Sequence, residues 1–72
     1  MAEESTIELR INGAARHVPT GLTVASLLTH LDLHPGMVVV EHNGTILRRE
    51  GLEAVAVSGG DSLELVHFVG GG

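Results

Sequence analysis

Cysteine is absent from the chain, which excludes disulfides, thiolate zinc sites, iron–sulfur clusters and a cysteine nucleophile. Lysine is absent as well, and with it go Schiff-base chemistry and a P-loop lysine. Aromatic residues are reduced to Phe68 alone. Basic residues are few: four arginines face nine acidic residues, for a formal charge of −5. That balance argues against nucleic-acid phosphates or an anionic membrane surface as partners. No stretch approaches the roughly 18 apolar residues of a membrane-spanning helix. The start, Met1-Ala2-Glu3-Glu4-Ser5, is acidic and polar and lacks the basic, then apolar, pattern of a signal peptide. The expectation is a cytoplasmic domain.

What the 72 residues do contain is 43% apolar side chains, almost all Leu, Val, Ile and Ala. That is enough for one core and too much for a disordered chain. A domain this small buries only about 60% of the surface its unfolded form exposes, so its core is marginal and a second domain has no room. The predicted organisation is one domain over 1–72, with 1–5 a frayed leader and 70–72 a flexible tail.

Ile7, Leu9 and Ile11 alternate with Glu8 and Arg10, the signature of a half-buried strand. Asn12-Gly13 supplies the positive φ values of a type I′ hairpin turn. A short return strand is predicted near Arg16-His17-Val18, with Pro19 ending its ladder. Val24, Leu27, Leu28 and Leu31 then repeat at helical spacing, which predicts a helix near 24–32. Thr23 is its predicted N-cap, and Leu22 with Leu27 forms a hydrophobic staple. Ser26 stands where a capping box carries Glu or Gln, so the reciprocal half of that motif is predicted missing. Pro35-Gly36 stops the helix. Met37 to His42, β-branched on both faces, predicts an inner strand, and Asn43-Gly44 a second hairpin into Thr45-Ile46-Leu47. A 3₁₀ piece around Glu50–Glu53 follows, then Val55 and Val57 as core plugs, a Gly59-Gly60-Asp61 turn and a last strand from Ser62 to Phe68. One helix with one apolar stripe needs one sheet face. The crossover through it predicts that the next strand enters parallel to its neighbour. The fold class is therefore α+β, a mixed sheet curled over one helix in the β-grasp architecture.

Chemistry-bearing clusters are sparse. His17, His30, His34, His42 and His67 read as solvated or rim imidazoles, because a metal site needs three or four convergent ligands. His17, Asp61 and a serine can be written as a triad, yet no nucleophile elbow or oxyanion loop accompanies any serine. Glu3-Glu4, Glu50 and Glu53 read as solvated surface, and no pocket is expected for acid–base work. The chain is not expected to be an enzyme. Two features remain. Gly70-Gly71-Gly72 spans roughly 10 Å when extended and could thread a cleft too narrow for any side chain, or simply fray. With Leu63 and Leu65 facing the helix, Val66 and Phe68 point to the open face, either as scattered exposed residues or as a docking patch beside the tail.

The ordered set Asn12-Gly13, Thr23-Val24, Leu27-Leu28, Val38-Val39-Val40-Glu41, Asn43-Gly44 and Arg48 leads to Gly60-Asp61-Ser62-Leu63-Glu64-Leu65-Val66-His67-Phe68-Val69-Gly70-Gly71-Gly72. From Ile7 to Gly72 it resembles the bacterial sulfur-carrier family of thiamine biosynthesis, the ThiS family of the ubiquitin-like β-grasp group. One departure is Leu47, where the family often carries proline before the arginine; it touches a loop, not the tail. The resemblance implies that an adenylating enzyme of the ubiquitin-activating type activates Gly72, using ATP and Mg that the carrier itself does not bind. A cysteine-desulfurase persulfide then supplies sulfur, and the resulting thiocarboxylate serves thiazole synthase. Gly70 and Gly71 would form the lead into that site, with Val66, Phe68 and Val69 as partner contacts. With no cysteine in the chain, the terminal carboxyl is the place where transferable sulfur could be carried. The molybdopterin-type sulfur carrier, a ubiquitin-like protein modifier and an inert interaction module are the alternatives. The lack of lysine forbids lysine-linked chains of the protein with itself.

Overall fold

The computed structural model describes residues 5–68. Five strands form one sheet: β1 (Thr6–Ile11), β2 (Ala14–Pro19), β3 (Val38–His42), β4 (Thr45–Leu47) and β5 (Ser62–His67). One helix, α1 (Val24–His30), packs on it, and 3₁₀ turns occupy Pro35–Met37 and Arg49–Ala54. The spatial order is β2-β1-β5-β3-β4. Both Asn-Gly turns form as their sequence requires, with Asn12 and Asn43 at φ 53° and 50° and Gly13 and Gly44 at 85° and 89°. These left-handed pairs match the twist of the strands they join.

Strand direction differs from the expectation. The strand after the helix, β3, pairs antiparallel with β5, and the parallel pair is β1 with β5. The last strand of the chain enters between the two hairpins, so the parallel crossover runs from the first hairpin across α1 and the β3–β4 hairpin. β2 is also longer than predicted and includes Pro19, which is tolerated because β2 is an edge strand.

The helix is shorter than predicted, and its ends are better made. Thr23 Oγ1 accepts from the Ser26 amide at 3.1 Å, while Ser26 Oγ accepts from the Thr23 amide at 2.8 Å. The capping box is thus complete with serine in the place of the longer acid. At the other end the Leu33 amide donates to Leu28 O and the Asp32 amide to Thr29 O, at 2.8 and 3.0 Å. That is a Schellman closure with Asp32, at φ 63°, in the left-handed position usually given to glycine. The helix therefore ends before Pro35-Gly36, which opens a separate 3₁₀ turn.

The core lies between α1 and the inner sheet face. Leu9, Leu27, Leu28, Leu63, Val18, Val24 and Val40 are fully buried, with Leu52 and Val57 closing the side opened by the second 3₁₀ turn. At about 1.5–3 kcal/mol for each large apolar side chain removed from water, this cluster is the main favourable term of the fold. Val24 N–H to Val55 O and Val57 N–H to Leu22 O tie the helix start to the segment ahead of β5.

Candidate functional site

β5 is the strand that leads to the tail, and its setting defines the site. On one side it pairs with β3 along its length, from His42 opposite Leu63 to Val38 opposite His67. The Phe68 amide adds one more bond, to Met37 O at 3.1 Å. On the other side β1 accompanies it only as far as Leu63, because the chain turns away at Asn12. The Asn12 side chain takes over there: Leu65 N–H donates to Oδ1 at 2.7 Å, and Nδ2 donates to Leu65 O at 3.2 Å. A primary amide thus substitutes for the missing strand and satisfies both polar groups of one residue.

Side chains alternate along β5 as predicted. Leu63 is buried and Leu65 packs against the core, whereas Glu64, Val66 and Phe68 are exposed. Val66 is 61% exposed and Phe68 44%, so the structure brings these two predicted contact residues to the outer surface. The other predicted site residues, Val69, Gly70, Gly71 and Gly72, lie outside the described residues, as do residues 1–4 of the predicted leader.

The outer face holds more than the sequence reading assigned to it. Val39 stands directly opposite Val66 and is 44% exposed; Ile46, on β4, is 71% exposed. Two register positions further from the tail, on the same face, Glu41 stands opposite Glu64, with Ile46 on the far side of Glu41. The signal available for Val39 was the unbroken Val38-Val39-Val40 run, in which one of two faces must look outward.

Two histidines are more engaged than the solvated or rim imidazoles expected. His42 pairs with Asp61: Nε2 to Oδ2 is 2.8 Å, with the two side chains 17% and 14% exposed. A carboxylate oxygen only accepts, so Nε2 carries the proton. Asp61 also accepts from the Ser58 amide and from Asn43 Nδ2, at 2.9 and 3.1 Å, and Asn43 Oδ1 accepts from the Ser62 amide at 2.8 Å. Burial pushes the Asp61 carboxyl up, but the His42, Ser58 and Asn43 hydrogen bonds and the His42 charge outweigh it and hold the group below its ordinary value. His34 is likewise not a bare rim residue, since its Nδ1 caps the Gly36 amide at 3.0 Å. Among the described residues no three His, Asp or Glu side chains are grouped to hold a metal ion, and no helix is long and apolar enough to cross a membrane. The His42–Asp61–Asn43 cluster pins the β3–β4 hairpin to the start of β5. It is a structural clasp at the end of β5 remote from the tail.

A mixed five-stranded sheet curled over one helix, with the last strand central, is the ubiquitin-like β-grasp fold. The ThiS family model matches residues 9–72. The fold superposes on the crystal structure of a thiamine biosynthesis protein (ThiS) from Geobacter metallireducens with a TM-score of 0.77. That pair is 38% identical, over 92% of this chain and all of the other. The sulfur carrier protein ThiS of Bacillus subtilis is 40% identical over 50 residues, 69% of this chain and 76% of that protein. A thiazole synthase of Paramagnetospirillum magneticum is 41% identical over 66 residues, 92% of this chain. The chain spans only 20% of that synthase's length. The chain belongs to the ThiS family.

Proposed function

We propose that this protein is a sulfur carrier for thiamine biosynthesis that acts as a co-substrate, not as a catalyst. The observation that carries the reading is the position of β5: it places exposed Val66 and Phe68 immediately ahead of Val69-Gly70-Gly71-Gly72, in a chain that the ThiS family model matches to residue 72. In this reading Val66, Phe68 and Val69 dock on an adenylating enzyme, and the three glycines enter a channel sized for backbone alone.

The chemistry follows from the terminal carboxylate. An α-carboxyl ordinarily titrates at about pH 3.5, so at neutral pH it is an anion, a nucleophile toward phosphorus but a poor acyl donor. A Gly72 oxygen attacks the α-phosphorus of ATP, whose charge Mg on the enzyme offsets, and pyrophosphate leaves. The acyl adenylate now carries a good leaving group. A persulfide sulfur, delivered by a cysteine-desulfurase system, attacks the acyl carbon and AMP departs. A thiol then cleaves the S–S bond, itself becoming part of a disulfide, and the thiocarboxylate is released. Thiazole synthase accepts that sulfur, a partner supported by the synthases that contain a segment like this chain. In this reading the cycle runs in the cytoplasm, where ATP is at hand.

Mass spectrometry of the protein recovered from thiamine-starved cells tests the proposal. An exchange of one oxygen for sulfur, localised to the C-terminal peptide, is the expected result. Adducts of higher mass would make the protein a modifier, and an unchanged mass would leave the tail without a carrier role.

A further inference from the structure

The outer face of β4, β3 and β5 carries a charge arrangement that is unfavourable in the free domain. Glu41 and Glu64 are direct cross-strand partners. Such partners hold their Cβ atoms about 4.5–5.5 Å apart, and like charges in that relation destabilise a sheet. Among the described residues neither carboxylate has an ion-pair partner, the one such contact being His42 with Asp61. Arg10, one strand over beside Ser62, gives its Nη2 to Gly13 O at 3.2 Å instead. On two sides of this pair the face is apolar: Val39 and Val66 lie two register positions toward the tail, and Ile46 lies beside Glu41.

We infer that this face seats an apolar surface of the adenylating enzyme that bears one basic side chain, an arginine by preference, with Glu41 and Glu64 gripping the cation and Val39, Val66, Ile46 and Phe68 surrounding it. The inference rests on the activation step proposed above and assigns its partner specificity. A guanidinium offers several donors in a flat fork, which suits two carboxylates at this separation better than an ammonium does. The surrounding apolar side chains exclude water on docking and strengthen the pairing. Charge also selects among occupants. A second copy on this face would bring four carboxylates together, and a net charge of −5 opposes self-association and anionic surfaces alike. A basic seat relieves the repulsion and speeds encounter.

The test uses the whole protein with the adenylating enzyme of the same organism. Glu41→Gln, Glu64→Gln and the double variant are compared with Phe68→Ala in equilibrium binding, in ATP–pyrophosphate exchange and in thermal unfolding of the free domain. Each glutamine variant should weaken docking by about tenfold, as a rise in KM for the carrier and not a fall in kcat, with a flatter salt dependence. The free domain should keep or raise its Tm, because removing one charge relieves the pair. Glutamine variants that bind as wild type while Phe68→Ala weakens binding would overturn the inference and leave the activation reading standing. Wild-type binding by all of them would remove this face from activation altogether. A lowered Tm in Glu64→Gln, or a dimer of the free protein dispersed by Phe68→Ala, would also overturn it.

Discussion

Asn12 has two duties that one substitution can separate. Its backbone takes a positive φ in the first hairpin, and its side-chain amide holds both polar groups of Leu65, 53 positions away. Asn12→Gly keeps the turn and removes the amide. Two net hydrogen bonds at exposed positions fall at the low end of the usual range, so the loss is about 1 kcal/mol. Asn12→Ala removes the amide and also loses asparagine's tolerance of the left-handed region, another 1 kcal/mol or so, for about 2 in all. In a domain of this size each kcal/mol moves Tm by about 4–8 °C, so the two variants are resolvable from wild type and from each other. Chemical denaturation with an unchanged m-value would assign the loss to the native state. Amide exchange supplies the local readout, since the Leu65 N–H loses its acceptor in both variants. An Asn12→Gly protein within about 0.3 kcal/mol of wild type, with Leu65 still protected, would refute the reasoning, because that margin is no more than an ordinary surface change produces.

Leu27 is fully buried, and Leu27→Ala should cost about 2–5 kcal/mol in urea unfolding; a loss below about 0.5 would place the helix stripe outside the core. Phe68→Ala should unfold cooperatively with a Tm close to wild type while activation weakens, since the ring is 44% exposed; a large drop in Tm would return Phe68 to the core. Asp61 titrates below its ordinary 3.8, so its carboxylate form stabilises the fold. That contribution is in place above pH 3.8 and lost as pH falls through the lowered folded value, so Asp61→Asn should be less stable at pH 7 yet flatter in acid. An acid profile identical to wild type would leave the clasp without energetic weight. Deleting Gly72, or replacing Gly71 with Val, should abolish ATP–pyrophosphate exchange with docking intact, because a misplacement of about 1 Å at the reacting centre can cost 100-fold; normal exchange would end the carrier proposal.

Local pattern carried the strands, the helix and the turns, since each rests on a short-range rule. Asn12-Gly13 and Asn43-Gly44 announce positive φ, and Val24, Leu27 and Leu28 announce one buried stripe. What stayed hidden depends on where distant segments meet. His42 and Asp61 are 19 positions apart and meet only because β5 enters beside β3. Nothing in the sequence near Asn12 points to Leu65. The helix start at Thr23 was legible, but its reciprocal cap and the helix end were missed for a different reason: the Ser26 hydroxyl closes the cap in place of the more usual Glu, and Asp32 takes the left-handed position more usual for Gly. On the outer face, Phe68 and Val66 were legible from alternation in one strand. Val39, Ile46 and the Glu41–Glu64 pair became visible only with the register of three strands.

The order of strands bears directly on how the tail could be delivered. β5 is last in the chain but central in the sheet, tied to β3 throughout, and to β1 and Asn12 over its first half. Phe68, two residues before the glycine tail, is still bonded to Met37. In the proposed cycle, a partner that seats the outer face therefore also sets where the last four residues begin. Four extended residues reach at most about 14 Å. In the proposed cycle, the α-phosphorus must then lie within that radius of the surface that holds Phe68. In that cycle the same short reach would make chain length a recognition element. A longer tail would spend more conformational entropy on each encounter, and a shorter one would stop before the phosphate. An adenylating enzyme with a fixed nucleotide pocket can thus measure the tail from the docking seat alone, without reading a side chain in its last three residues.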